Sequence, residues 1–277
     1  MACDPWRTDL LTRRAFLVTL IMALSMAGAA CAQEIRLAAA ADLKFAMQDI
    51  AAQFEKQTGT KVDVTYGSSG NFFSQLQNGA PFDLFFSADI EYPKKLESAG
   101  LAEPGTLYKY AIGRIAIWMA TDTKVDVASL GWKALLDPIV QKIAIANPEH
   151  APYGRAAVAA LQKAGIYEQV KTKLVYGESI SQAAQFVQSG NAQAGIVAMS
   201  LAVSPGMKEG KRWEIPADMY PPIEQAAVVL KSSKNKGRAR AFLKFVKSET
   251  GRATLSKYGF TFPGANAAAP LPGSQKK

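Results

Sequence analysis

The sequence predicts an α/β protein with largely parallel sheets flanked by helices. Three observations point there. Short apolar runs of roughly 4–6 residues recur along the chain, each bounded by small or polar residues. Between them lie stretches of roughly 8–15 residues with apolar side chains at helical spacing, the pattern of strand–helix–strand units. The composition is that of a packed globular protein, with 277 residues that are 49% hydrophobic and 20% charged, which excludes a disordered or fibrous chain. That length is room for one large domain or two of ordinary size.

The elements follow in order. Ile35–Ala40 is an apolar run, the first strand. Leu43–Thr58 carries Leu43, Phe45, Met47, Ile50, Ala51 and Phe54 near helical spacing, and Gly59 is placed to stop it. Val62–Tyr66 alternates as a strand, Gly67-Ser68-Ser69-Gly70 reads as a turn, and Asn71–Gln77 as a short helix. Leu84–Ser87 is a strand and Tyr92–Ser98 a helix. Strands recur at Arg114–Met119, Ile143–Ala146, Lys173–Tyr176 and Ala194–Val197, with helices over Gly154–Ala164 and Ser181–Gln188. Ala226–Leu230 is a late strand and Arg238–Ser248 a late helix. No internal repeat is visible.

The chain begins with an export signal. Arg7, Arg13 and Arg14 precede an uncharged run, Ala15–Ala30, and Ala30-Cys31-Ala32 supplies the small residues of a cleavage site. The run of about 16 residues is short of the ~20 needed to span a bilayer. Thr12-Arg13-Arg14-Ala15-Phe16-Leu17 resembles a twin-arginine signal, and an ordinary basic leader fits it equally. A lipoprotein site at Cys31 is the weaker alternative, since Gly28 stands where leucine is expected. Three basic and two acidic residues precede Ala32, so the 32-residue signal leaves a mature chain of 245 residues at +8, against +9 for the whole. The segment from Gly264 to Lys277, rich in Ala, Pro and Gly, reads as a flexible tail.

Composition removes several chemistries. The only cysteines are Cys3 and Cys31, and the only histidine is His150. A disulfide framework, a cysteine or multi-histidine metal site and a catalytic histidine pair are excluded. No cofactor is expected. No G-x-S-x-G elbow accompanies the single histidine, which argues against the rival reading, an exported hydrolase. The basic stretch Lys231–Arg240 lacks interleaved aromatics and reads as a solvated loop and helix start, with no nucleic-acid partner expected. The positive balance favours anions.

The informative feature stands between strand and helix. Four junctions share small or hydroxyl residues: Ala39-Ala40-Ala41-Asp42, Gly67-Ser68-Ser69-Gly70-Asn71, Ala151-Pro152-Tyr153-Gly154 and Gly177-Glu178-Ser179-Ile180. Ser179-Ile180-Ser181-Gln182 matches a capping box. Helix starts expose unpaired N–H groups and about +0.5 charge, so several meeting in space would make an anion site; singly, each reads as an ordinary cap.

Several strings then match a known family. They are Ala39-Ala40-Ala41-Asp42-Leu43 with Ala46-Met47-Gln48-Asp49-Ile50, the run Gly79-Ala80-Pro81-Phe82-Asp83-Leu84-Phe85-Phe86-Ser87-Ala88-Asp89, and Asn147-Pro148-Glu149-His150-Ala151-Pro152-Tyr153-Gly154. Gly195-Ile196-Val197 and Tyr258-Gly259-Phe260 add to them. Over nearly the whole mature length the chain resembles the periplasmic molybdate-binding proteins of ABC transporters. The resemblance implies a type II, two-lobed binding protein, with lobe 1 over 33–112 and 223–277 and lobe 2 over 113–222. It implies crossings near Ala111–Arg114 and Pro221–Glu224, and a cleft that closes on a tetrahedral oxyanion. It further implies a monomer, located in the periplasm, that delivers molybdate or tungstate to an inner-membrane ABC permease, the molybdenum being held only as its oxyanion.

Carried over residue by residue, the family's second serine falls on Ser69, and its two backbone donors fall on Tyr153 and Ile180. Two positions depart. Asp42 stands where the family has serine, and Ala198 where it has a tyrosine after Gly-Ile-Val. An ionised carboxylate beside an anion is unfavourable, since two unit charges ~4 Å apart repel by ~4 kcal/mol at an effective dielectric of ~20. Three readings of Asp42 follow. It turns away and caps the Leu43 helix, which is the favoured one; it accepts a proton from a protonated oxyanion; or a cation such as Lys44 offsets it. The second would suit another, protonated oxyanion, phosphate-like or sulfate-like, whereas molybdate and tungstate, deprotonated at neutral pH, offer only acceptors. His150, Asp83 and Asp89 are expected in structural or edge contacts, and Arg155 either at the anion or in solvent.

Overall fold

The computed structural model describes residues 34–263. The export signal, its twin-arginine-like motif, Cys31 and the tail from Gly264 fall outside the described residues.

Strand β1 (Glu34–Ala40) runs through a single 3-10 turn, Ala41–Leu43, into helix α1 (Lys44–Thr58). Gly59 ends that helix at φ +70°, its N–H donating to the Glu55 carbonyl at 2.8 Å, a left-handed stop that glycine adopts without strain. β2 (Lys61–Gly67), α2 (Ser69–Gln77), β3 (Leu84–Ser87), α3 (Glu91–Ser98) and β4 (Tyr108–Gly113) complete the first excursion. The chain then builds a second layer from β5 (Ile115–Met119), α4 (Val127–Leu130), β6 (Ile143–Ala146), α5 (Pro152–Lys163), α6 (Tyr167–Val170), β7 (Leu174–Gly177), α7 (Ile180–Gln188), β8 (Ala194–Ala198), α8 (Met199–Ala202) and β9 (Lys211–Glu214). It returns through β10 (Ile223–Val229), α9 (Lys236–Lys247) and α10 (Glu249–Lys257).

Two five-stranded sheets result, with orders β2-β1-β3-β10-β4 and β7-β6-β8-β5-β9. They have the same plan. In the first, β1 lies parallel to β2 and β3, while β10 is antiparallel to both β3 and β4. In the second, β6 lies parallel to β7 and β8, while β5 is antiparallel to β8 and β9. The fold is the two-lobed α/β class, each sheet mixed and flanked by helices.

The central strands are buried on both faces, as their unbroken apolar runs require. On one face of the first sheet Leu37, Phe86 and Val229 pack with Met47, Ile50 and Phe54 of α1 and with Phe242 of α9. The alternate residues Ala38, Phe85 and Val228 face Phe72 and Leu76 of α2 and Leu96 of α3.

The chain leaves the first sheet at Gly113, enters the second at Ile115, and returns between Glu214 and Ile223. Arg114, alone between β4 and β5, straps these passages together: its Nε donates to the Gly259 carbonyl at 2.9 Å and its guanidinium pairs with Glu214 at 2.7 Å.

Six elements lie where no strand or helix was predicted: β4, β9 and α10, and the one-turn helices α4, α6 and α8, too short to show an apolar spacing. β4 carries Lys109 and ends just before the strand predicted over Arg114–Met119, so it does not stand out on its own. β9 is an edge strand of sequence Lys-Arg-Trp-Glu, too polar to stand out. α10 follows α9 after Ser248, whose hydroxyl accepts from the Gly251 N–H at 3.3 Å and starts a new helix. α2, α5 and α7 each begin one or two residues earlier than their apolar spacing indicates. That places Ser69, Tyr153 and Ile180 in first turns, where backbone N–H groups have no helical acceptor.

Candidate functional site

The four junctions meet. The N–H of Gly70, in the first turn of α2, donates to the His150 carbonyl just before α5 at 2.9 Å. The Ser181 hydroxyl, in the first turn of α7, donates to the Ala41 carbonyl at 2.9 Å. The Tyr153 hydroxyl of α5 donates to Asp42 Oδ2 at 2.8 Å. His150 Nε2 lies 3.1 Å from the Glu178 carbonyl before α7. Each start is thus bonded to at least one other, and three of the bonds join the two lobes. Gly70 must be glycine for this approach, because a Cβ there would stand 2.6 Å from the His150 carbonyl oxygen. On one side the starts of α2 and α7 border a cavity of about 360 Å³, lined by Gly67, Ser68, Ser179 and Ser181.

Ser69 is fully buried. Capping of α2 falls to its neighbour Ser68, whose hydroxyl accepts from the Asn71 N–H at 3.4 Å. Ser69 Oγ accepts from the Ala88 N–H at 2.9 Å, which leaves its own proton free to donate. Tyr153 and Ile180 are also buried. Among the described residues neither of their backbone N–H groups has a protein acceptor. At α7 the expected capping box is half formed: Ser179 Oγ accepts from the Gln182 N–H at 3.3 Å, but the Gln182 side chain takes the N–H of Glu178, at 2.6 Å, one residue before the cap.

Asp42 departs from the favoured expectation. Neither the 3-10 turn nor α1 has a side-chain cap. The residue is the second of the turn and is buried, only 1% exposed. Oδ2 accepts from Tyr153 Oη at 2.8 Å and from Gln225 Nε2 at 2.6 Å, while among the described residues Oδ1 has no hydrogen-bond partner. Gln225 is oriented by Tyr110, whose hydroxyl donates to its Oε1 at 2.7 Å. Lys44 does not offset the charge either; its ammonium lies over the Phe45 ring, 5.6 Å from the centroid.

Burial pushes the Asp42 carboxyl up to about 6 from 3.8, against the opposing effect of the Gln225 and Tyr153 hydrogen bonds and the neighbouring backbone N–H groups. Folding therefore takes up a proton between those values, and the group's contribution to stability falls as pH rises through that window. Burial raises the Tyr153 and Tyr110 hydroxyls well above the usual phenol range, so both are neutral donors.

Ala198 brings no polar side chain to the group. It ends β8, pairs with Ile115 and is fully buried, with only a methyl side chain. Two residues on, Ser200 Oγ donates to the Asp42 carbonyl at 2.7 Å and ties that strand end to the turn. Arg155 reaches neither Ser69 nor Asp42; it pairs with Asp89 Oδ2 at 2.6 Å across the lobes. Asp83 holds the Arg36 N–H and the Ser233 hydroxyl, a structural role as expected.

Comparison with known proteins agrees with the fold. The model of the bacterial extracellular solute-binding proteins matches residues 35–261. This chain belongs to that family. Among the solute-binding proteins similar to it are the molybdate-binding protein ModA of Azotobacter vinelandii, 42% identical over 88% of this chain and 96% of the relative, and ModA of Rhodobacter capsulatus, 40% identical over 90% and 96%. The solved structure of the Azotobacter vinelandii periplasmic molybdate-binding protein superimposes with a TM-score of 0.78 and 34% identity, covering 83% of this chain and 99% of that one.

Within this solute-binding fold, sequence reasoning missed two side chains. Tyr153 enters through its hydroxyl as well as its backbone, and Gln225 supplies the second donor to Asp42. A signal for the first was present in Gly113. A Cβ there would stand 2.2 Å from Tyr153 Oη and 2.8 Å from Gln225 Nε2, so a glycine ending β4 marks where a bulky side chain crosses between lobes.

Proposed function

We propose that this solute-binding protein captures a tetrahedral oxyanion, molybdate or its isostere tungstate, between its lobes and hands it to an ABC permease in the inner membrane. The observation that carries the reading is the junction of four helix starts in which the Tyr153 and Ile180 N–H groups and the Ser69 hydroxyl proton are buried donors without acceptors among the described residues. Such donors suit an anion that offers only acceptors. The extent of the similarity to two ModA proteins, which spans 96% of each, supports molybdate as the anion. Among the described residues no helix is long and apolar enough to cross a membrane, which agrees with a binding component that meets a separate permease.

The test is thermal unfolding of the mature chain with molybdate, tungstate, sulfate, phosphate, arsenate and chromate. A ligand at about 100 times its dissociation constant stabilises by about 2.7 kcal/mol, a shift of several degrees. Molybdate and tungstate are expected to give the largest shifts. A larger shift with phosphate or sulfate would assign the cleft to another oxyanion, and no shift with any of them would remove the reading.

A further inference from the structure

We infer that Asp42 is a proton-coupled donor to the bound anion: on capture it takes up one proton from solvent at Oδ1 and presents that proton to an oxyanion oxygen. The inference rests on the oxyanion reading above and assigns the role of the residue that departs from the family's serine.

The two carboxyl oxygens are not equivalent. Oδ2 already faces two donors, the Tyr153 hydroxyl and the Gln225 amide, and a proton placed there would displace one of them. The Gln225 amide cannot simply turn over, because Tyr110 donates to its oxygen. Oδ1 is buried with no partner, so it is the atom able to carry a proton. A carboxyl protonated at Oδ1 offers what a serine hydroxyl offers, one O–H donor, at the same place in the chain.

The surroundings favour the neutral form. The titratable groups that touch Asp42 or lie nearest it are Tyr153 from α5 and Tyr110 from β4, both neutral. Gln225 from β10 and Ser200 from α8 are uncharged, and the start of α2 contributes only serine and glycine. Lys44, on the same element, is turned to Phe45. Among the described residues no cation pairs with the carboxyl, so burial outweighs the hydrogen bonds it receives and raises its pKa to about 6. A proton at pH 7 then lowers affinity by only about tenfold, and a neighbouring anion raises the pKa further.

Molybdate tests this cleanly, because it carries no proton of its own at neutral pH. Titration calorimetry of the wild-type mature chain with sodium molybdate, in buffers of different ionisation enthalpy at pH 7.5, should show about one proton taken up per anion. Affinity should fall by about tenfold per pH unit between pH 7 and 8.5. Asp42→Asn keeps an N–H donor without a titrating group and should bind with no proton uptake and no slope. Wild-type binding with neither proton uptake nor slope would overturn the inference and leave the molybdate reading standing. A slope that survives in Asp42→Asn would place the proton elsewhere and also overturn it. Absence of molybdate binding by both proteins at every pH would remove the oxyanion reading, and this inference with it. The wild-type measurement needs no variant to fold.

Discussion

The two lobes approach the cleft with different groups. Lobe 1 brings side chains: the Asp42 carboxyl, the Ser69 hydroxyl and, behind them, the Gln225 amide. Lobe 2 brings backbone: the N–H groups of Tyr153 and Ile180 at the starts of α5 and α7. Its side chains at the junction are directed to lobe 1: the Tyr153 hydroxyl to Asp42 and Gln225, and the Ser181 and Ser200 hydroxyls to the Ala41 and Asp42 carbonyls. A backbone donor is indifferent to the residue that carries it, whereas a side-chain donor is lost with one substitution. The departures from the family pattern should therefore be felt through side chains. Ala198 shows the limit of this, since a methyl stands in lobe 2 where the family has a tyrosine.

If lobe 2 acts through backbone, its most sensitive positions are those that shape the loop before α5. Gly154 is the sharpest. A Cβ there would stand 2.1 Å from the Ala146 carbonyl oxygen and 2.8 Å from the Pro148 nitrogen, both backbone atoms that cannot swing aside. Gly154→Ala is expected to cost about 3 kcal/mol or more in chemical denaturation and to abolish molybdate binding. A variant of wild-type stability that still binds would show that the loop yields, and that the backbone donors are not held as rigidly as the comparison requires.

For lobe 1 the corresponding test is Ser69→Ala. It removes a donor to a charged acceptor, an interaction worth about 1.5–3 kcal/mol, so calorimetry should show a tenfold or larger loss of molybdate affinity. Because Ser69 Oγ also accepts from the Ala88 N–H, some loss of apo stability accompanies it. Since Ser68 is the cap, unchanged affinity could not be blamed on a capping role; it would mean that the anion sits away from α2.

How much of this was legible in the sequence follows from the same division. The strand–helix alternation was readable because both sheets bury apolar runs on two faces, and Gly59 stops α1 where its spacing ends. The junction strings stood out because close packing limits them to small residues. β4 and β9 were not legible: Lys109, Lys211 and Arg212 sit in strands at the sheet margins, where polar side chains reach solvent and no apolar pattern is imposed. Nor was the orientation of Asp42. Aspartate before a helix reads as a cap by local rules, and only the long-range partners Tyr153 and Gln225, 111 and 183 residues away, draw it inward.

The smallest effect is expected at Arg155, and it tests the claim that lobe 2 offers the anion no charged side chain. Arg155 is in α5, two residues beyond Tyr153, close enough in sequence to be an anion ligand. In the structure its guanidinium is engaged by Asp89 at 2.6 Å and lies 5.9 Å from the Tyr92 ring centroid. Its side chain is 40% exposed and that of Asp89 25%, so water and salt screen the pair, and such pairs contribute about 0–1 kcal/mol. Since the bond joins the lobes, it biases closure only slightly. Arg155→Ala should therefore weaken molybdate binding by no more than about fivefold, the equivalent of about 1 kcal/mol. The residual effect should shrink further as salt rises from ~0.05 to ~0.5 M. A loss of a hundredfold or more that persists at high salt would place the guanidinium on the anion itself, and lobe 2 would then contribute charge as well as backbone.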